Sequence, residues 1–90
     1  MTTKADTPPD MLRIAVAQLT PTVGDIAGNI AKIREGRADA ARHGADLVLF
    51  TELMVSGYPP EDLVVRPAFL EACRKAIEEL AAETADGGPA

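Results

Sequence analysis

Asp46–Pro60, "DLVLFTELMVSGYPP", contains the end of one strand and the loop that follows it. Residues 47–50 are continuously apolar, which predicts a buried strand over 46–50. Glu52 comes two residues after that strand, and the turn Gly57–Pro60 follows with little backbone freedom, because proline fixes φ. A carboxylate and the only tyrosine of the chain, Tyr58, are therefore expected at the carboxyl end of a strand.

A strand and a helix precede this stretch. Residues 11–19, "MLRIAVAQL", are nearly all apolar, which predicts a parallel strand covered on both faces. Asp25 is the expected N-cap of a helix and Gly44 its C-terminal stop, with apolar residues at helical spacing between them. Strand, helix and strand within about forty residues are typical of a βαβ unit with parallel strands.

A second helix is expected after the loop. Pro67 fits its first turn, and the glycines near the end of the chain would stop it. Cys73 falls on the apolar face of this helix, where a thiol behaves as a small hydrophobe, so a nucleophilic role is not expected. His43, the only histidine, is interpreted as a helix-end residue. The order β-α-β-loop-α predicts an α/β fold.

The domain organisation follows from this order of elements. Residues 1–10 are polar and contain prolines, which predicts a flexible N-terminal tail. Two parallel strands with apolar faces and two helices do not complete a sheet. Residues 11–90 are therefore expected to be the truncated N-terminal portion of a larger domain.

Composition and charge restrict the classes of partner. The chain has 90 residues, 47% of them hydrophobic, and a net charge of −5. The acidic balance argues against nucleic acid and anionic membranes as partners. One cysteine excludes an internal disulfide, and no apolar run has the length of a signal peptide or a membrane span, so a cytoplasmic location is expected. Glycine-rich nucleotide motifs and metal-ligand clusters are missing, so neither cofactor nor metal is expected on this segment.

Glu52 and Tyr58 are the candidate functional residues. Ligands of open α/β sheets bind at the carboxyl ends of the strands. Glu52 lies there beside apolar neighbours (Phe50, Leu53 and Met54) that are expected to enclose it partly, as suits a general base. A turn cap or an ion pair with a surface lysine explains it equally well. Tyr58 could offer its hydroxyl to a ligand or pack its ring over the sheet edge.

Three segments carry a resemblance to a known family. "LRIAVAQLTPTVGDIAGNIAKI" (12–33) and "GADLVLFTELMVSGY" (44–58) resemble the opening of the nitrilase, or carbon–nitrogen hydrolase, superfamily. "SGYPPEDLVVRPAFLEAC" (56–73) is similar to the N-terminal glutaminase domain of glutamine-dependent NAD⁺ synthetases. The matching superfamily positions are Ala17-Gln18, Gly24-Asp25, Asn29 and Gly44-Ala45-Asp46.

The resemblance implies an α-β-β-α sandwich, of which this chain is the N-terminal β-α-β-α part, and a Glu-Lys-Cys triad. Glu52 would be the general base, and Tyr58 would shape the glutamine pocket. Family members commonly carry proline before the glutamate, and Thr51 stands there in this chain. Lys75 and Cys73 lie in the wrong context for the other two triad members. The 90-residue chain alone is therefore expected to be inactive.

The implied function is hydrolysis of the glutamine amide. The ammonia would pass to a second domain that uses ATP and Mg²⁺ to amidate deamido-NAD⁺ to NAD⁺, in a homo-oligomeric enzyme. Two alternatives remain: a stand-alone carbon–nitrogen hydrolase, such as an amidase or carbamoylase, and a non-catalytic α/β interaction module.

Overall fold

Two parallel strands and the helix between them form the centre of the structure, a computed structural model that describes residues 10–90. The elements are β1 (Ile14–Ala17), α1 (Ile26–Arg42) and β2 (Leu47–Phe50). The predicted βαβ unit is confirmed, because β1 pairs with β2 in parallel. The predicted tail, 1–10, lies outside the described residues apart from Asp10.

Local signals define both ends of α1. The Asp25 carboxylate accepts a hydrogen bond from the Gly28 backbone N–H at 3.0 Å, as an N-cap does. At the other end Gly44 has a φ of +73°, which glycine adopts without the steric cost of a side chain. His43 is exposed at the C-cap. All three predictions for this helix are confirmed.

The two faces of the sheet differ in burial. One face packs on α1 through Val48, which joins Ala40 and Ala45 in a buried cluster. On the other face Ile14 and Val16 are 49% and 70% exposed. The prediction of strands covered on both faces is therefore wrong for the described residues, because helices lie on one side only.

The first strand is also shorter than predicted. It has four residues rather than the whole of 11–19, because its partner β2 also has four. At the opposite edge of β2, Val48 N donates to Ala90 O at 2.8 Å and Ala90 N donates to Asp46 O at 3.0 Å. This is the hydrogen-bond pattern of a parallel strand, so β2 is paired on both edges at its start.

The second helix, α2 (Pro67–Glu83), follows a 3₁₀ turn over Glu61–Val65 that was not predicted. Pro67 occupies the first turn, as expected. The apolar residues of α2 are only partly covered: Ile77 is 53% exposed, whereas Ala76 is buried. The reason is that α2 reaches the core mainly through Ala76 and Leu80.

Two ion pairs join α1 to the end of α2 and the segment after it. Arg34 contacts Glu83 and Arg37 contacts Asp86, each at 2.7 Å. The hydrogen bond from Arg37 holds the pKa of the Asp86 carboxyl well below its ordinary value. A largely exposed pair such as Arg34–Glu83 contributes little to stability. Within residues 10–90 no helix is long and apolar enough to cross a membrane.

Candidate functional site

The loops after β1 and β2 meet at one edge of the sheet, because both strands run in the same direction. Between them is an open pocket of about 350 Å³. Its walls are Leu19, Thr20, Pro21, Thr51, Glu52 and Tyr58. The structure therefore brings both predicted site residues to a single pocket.

Glu52 is exposed and faces this pocket without a partner. Within residues 10–90 it makes no hydrogen bond and no ion pair, so neither a turn cap nor a surface lysine accounts for it. Lys32, a cation near the pocket wall, instead donates to the backbone oxygen of Thr20 at 2.7 Å. A carboxylate that is free of internal partners can accept a proton from a bound group.

The expected apolar enclosure of Glu52 is not present among the residues described. Met54 is 4% exposed and belongs to the core cluster with Ile30 and Ile33. Leu53 is 41% exposed, and its φ of +58° turns the backbone sharply after Glu52. The prediction that apolar neighbours enclose Glu52 is therefore wrong, because Leu53 is exposed while the adjacent Met54 packs in the core.

Tyr58 lies across the same pocket. It is 64% exposed, and among the side chains that the structure describes its hydroxyl has no hydrogen-bond partner. The preceding Gly57 has a φ of +86°, and the Tyr58–Pro59 peptide bond is cis. The hydroxyl is therefore available to a polar ligand, which is the role that the sequence suggested.

The sequence-based reasoning gave no individual role to Asn29, which ties the two loops together. Asn29 has no exposed surface. Its Oδ1 accepts from Thr22 N at 2.8 Å, and its Nδ2 donates to Thr22 O at 2.9 Å and Val55 O at 3.0 Å. One signal could have identified it: an amide side chain beside Ile30 in the apolar stripe of α1 must find buried partners.

The loops also touch through their backbones. Gly24 N donates to Ser56 O at 2.9 Å. A Cβ added at Gly57 would lie 2.4 Å from Val23 Cα, closer than such atoms can approach. The two loops therefore form one connected unit that carries the pocket.

The remaining candidates are separate from this pocket. Cys73 is half-buried on α2, and desolvation raises the pKa of its thiol, which disfavours a nucleophilic thiolate. Neither Cys73 nor Lys75 lines the pocket with Glu52. A larger cavity of about 730 Å³ lies between α1, α2 and β2, but its walls are mainly apolar and include neither Glu52 nor Tyr58. In the described part of the chain, no cluster of acidic, histidine or cysteine side chains could hold a metal ion.

Known proteins match most of this chain. A family model described as carbon–nitrogen hydrolase matches residues 13–87. The glutamine-dependent NAD(+) synthetase of Xylella fastidiosa is 52% identical over 79 residues, which are 83% of this chain and 14% of that protein. The synthetase of Thermotoga maritima is 46% identical over 77 residues, which are 86% of this chain and 13% of that protein. The synthetase of Synechocystis sp. is 46% identical over 71 residues, which are 79% of this chain and 13% of that protein.

The chain thus spans at most 14% of the length of these three relatives, and the predicted resemblance is confirmed. The family match covers β1, the pocket loops and α2. This chain belongs to the carbon–nitrogen hydrolase family.

Proposed function

We propose that this chain is the N-terminal part of the glutaminase domain of a glutamine-dependent NAD⁺ synthetase. The observation that carries the proposal is the pocket at the strand ends, which Glu52 and Tyr58 share. Glu52 has no internal partner in the described range, so its carboxylate is available for proton transfer. The names of the relatives support glutamine as the substrate and NAD⁺ as the product of the whole protein.

In the proposed reaction Glu52 moves one proton in each half of the cycle. Its carboxylate takes the proton of a cysteine thiol supplied by another part of the protein, and the thiolate attacks the amide carbon of glutamine. The carbon–nitrogen bond breaks, and Glu52 returns the proton to the departing ammonia. Glu52 then takes a proton from water, and the resulting hydroxide attacks the thioester carbon. The carbon–sulfur bond breaks, glutamate is released, and Glu52 returns the proton to the departing cysteine thiolate. A lysine outside this chain would stabilise the oxyanion.

The architecture of the whole domain is part of the proposal. The exposed apolar face with Ile14, Val16 and Leu49 is suited to pack against a second sheet in an α-β-β-α sandwich. ATP and Mg²⁺ would bind a separate synthetase domain, and the whole enzyme would be a cytoplasmic homo-oligomer. Within residues 10–90, the helices cover only the face with Val48 and Ala45.

Transfer of the glutamine amide nitrogen distinguishes the proposed function from its alternatives. The full-length protein, given glutamine with an ¹⁵N amide, deamido-NAD⁺, ATP and Mg²⁺, is expected to place ¹⁵N in the carboxamide of NAD⁺. Mass spectrometry of the product measures this directly. Ammonia release without labelled NAD⁺ would favour a stand-alone carbon–nitrogen hydrolase, and no ammonia release would favour a non-catalytic module.

Tyr58→Phe tests the binding role of the hydroxyl. Loss of one hydrogen bond to glutamine is expected to raise KM about 2- to 10-fold while kcat is retained. Tyr58→Leu serves as the comparison, because it removes the ring as well. If Tyr58→Phe kept the wild-type KM and only Tyr58→Leu raised it, the ring rather than the hydroxyl would be the functional part of Tyr58.

A further inference from the structure

Asn29 differs from the other buried residues of the described chain because it is polar and fully enclosed. Its amide uses both N–H groups and its oxygen in hydrogen bonds to the backbone of Thr22 and Val55. Thr22 belongs to the loop after β1, and Val55 belongs to the loop after β2. The side chain therefore joins two loops that are far apart in sequence.

These loops are the two sides of the pocket. Val55 lies midway between Glu52 and Tyr58, three residues from each. Thr22 follows Thr20 and Pro21, which form the opposite wall. Because Asn29 holds Val55 against Thr22, it determines where both functional side chains stand relative to that wall.

We propose that Asn29 is a positioning residue for glutamine hydrolysis, which keeps Glu52 and Tyr58 at the spacing that the substrate requires. The inference rests on the proposed function. Asn29 acts through the loops and does not line the pocket. An enclosed hydrogen-bond network of this kind specifies one geometry, and a small displacement of a reacting group greatly reduces the rate of reaction.

The amide of asparagine is required by the pattern of partners. Two of the three partners are carbonyl oxygens, which need N–H donors, and the third is an N–H, which needs an acceptor. Aspartate has the same shape as asparagine, but when ionised it cannot donate to Thr22 O or Val55 O. Asn29→Asp therefore removes both ties to the carbonyls at nearly constant volume.

The test compares Asn29→Asp with Val48→Ala in the full-length protein. Val48 is 8% exposed and belongs to the cluster with Ala40 and Ala45, away from the loops, so its truncation lowers stability without cutting the network. Ammonia release from glutamine is measured well below the melting temperature of both variants. We expect kcat of Asn29→Asp to fall about 10- to 100-fold and KM to rise, whereas Val48→Ala keeps both constants.

Asn29→Ser is the second variant, because its hydroxyl keeps one donor and one acceptor. It is expected to give a kcat between those of wild type and Asn29→Asp. The proposal is overturned if the folded Asn29 variants match Val48→Ala in kcat and KM, or if neither variant folds, because Asn29 would then serve the fold alone. If wild type releases no ammonia from glutamine, the proposed function has failed instead.

Discussion

Glu52→Gln is expected to lower the kcat of glutamine hydrolysis by the full-length protein about 10³-fold, within the range that general-base catalysis contributes. Glutamine has the shape of glutamate, but its amide does not accept a proton at neutral pH. Glu52 is exposed and makes no internal hydrogen bond in the described structure, so the substitution should not disturb packing. Ammonia release at saturating glutamine measures the effect.

The matched control is Glu35→Gln, which makes the same chemical change on an exposed position of α1 that does not line the pocket. It should retain the wild-type kcat, and both variants should keep the wild-type melting temperature. A Glu52→Gln protein that retained about a tenth or more of the wild-type kcat would show that another group accepts the proton.

Gly57→Ala is expected to reduce the free energy of unfolding by about 2–5 kcal/mol, the sum of left-handed backbone strain and steric overlap. Gly57 has a φ of +86°, and its added Cβ would lie 2.4 Å from Val23 Cα and 2.7 Å from Thr22 O. Both neighbours are backbone atoms of the other pocket loop, so they cannot rotate aside. Urea denaturation of the full-length protein, followed by circular dichroism, measures the change.

Gly87→Ala is the control that measures the strain of a left-handed backbone without steric overlap. Gly87 has a similar φ of +82°, but nothing lies within 4 Å of an added Cβ. Its cost should therefore be only the strain of a left-handed alanine, about 1–2 kcal/mol. Equal losses for the two variants would mean that the close approach of the loops at Gly57 contributes nothing to stability.

The elements that the sequence predicts well are those with local causes. Asp25 and Gly44 mark the ends of α1, because an N-cap needs a side chain that accepts a hydrogen bond and a left-handed stop favours a residue without a Cβ. Pro67 starts α2 because its missing N–H is harmless in the first turn. These signals depend on residues next to one another, so a single sequence is sufficient to read them.

Burial of the sheet could not be predicted in the same way. Val16 and Val48 are equally apolar, but Val16 is 70% exposed and Val48 is 8% exposed. The difference depends on which segments pack on each face, and α1 covers only the face with Val48. An apolar run predicts that a strand tends to be buried, but only the tertiary structure shows which segments pack on each of its faces.

The candidate site was predicted in part. Glu52 and Tyr58 share a pocket because both follow a strand whose carboxyl end carries the loop, which is a consequence of topology. The enclosure of Glu52 by Met54 and Leu53 was wrong, since the turn at Leu53 sends Met54 into the core. The place of Asn29 in the apolar stripe of α1 indicates that its amide needs buried partners, but those partners lie 7 and 26 residues away, and no local pattern identifies them.

The position of Glu52 beside bound substrate tests the central claim most directly. The measurement is the distance from the Glu52 carboxylate to the side-chain amide of a non-hydrolysable glutamine analogue, in a crystal structure of the full-length protein. Proton transfer predicts about 3 Å, or one bridging water between the two groups. An analogue bound in another pocket, or a carboxylate about 6 Å or more from the amide without a bridging water, would contradict the assignment of Glu52 as the general base.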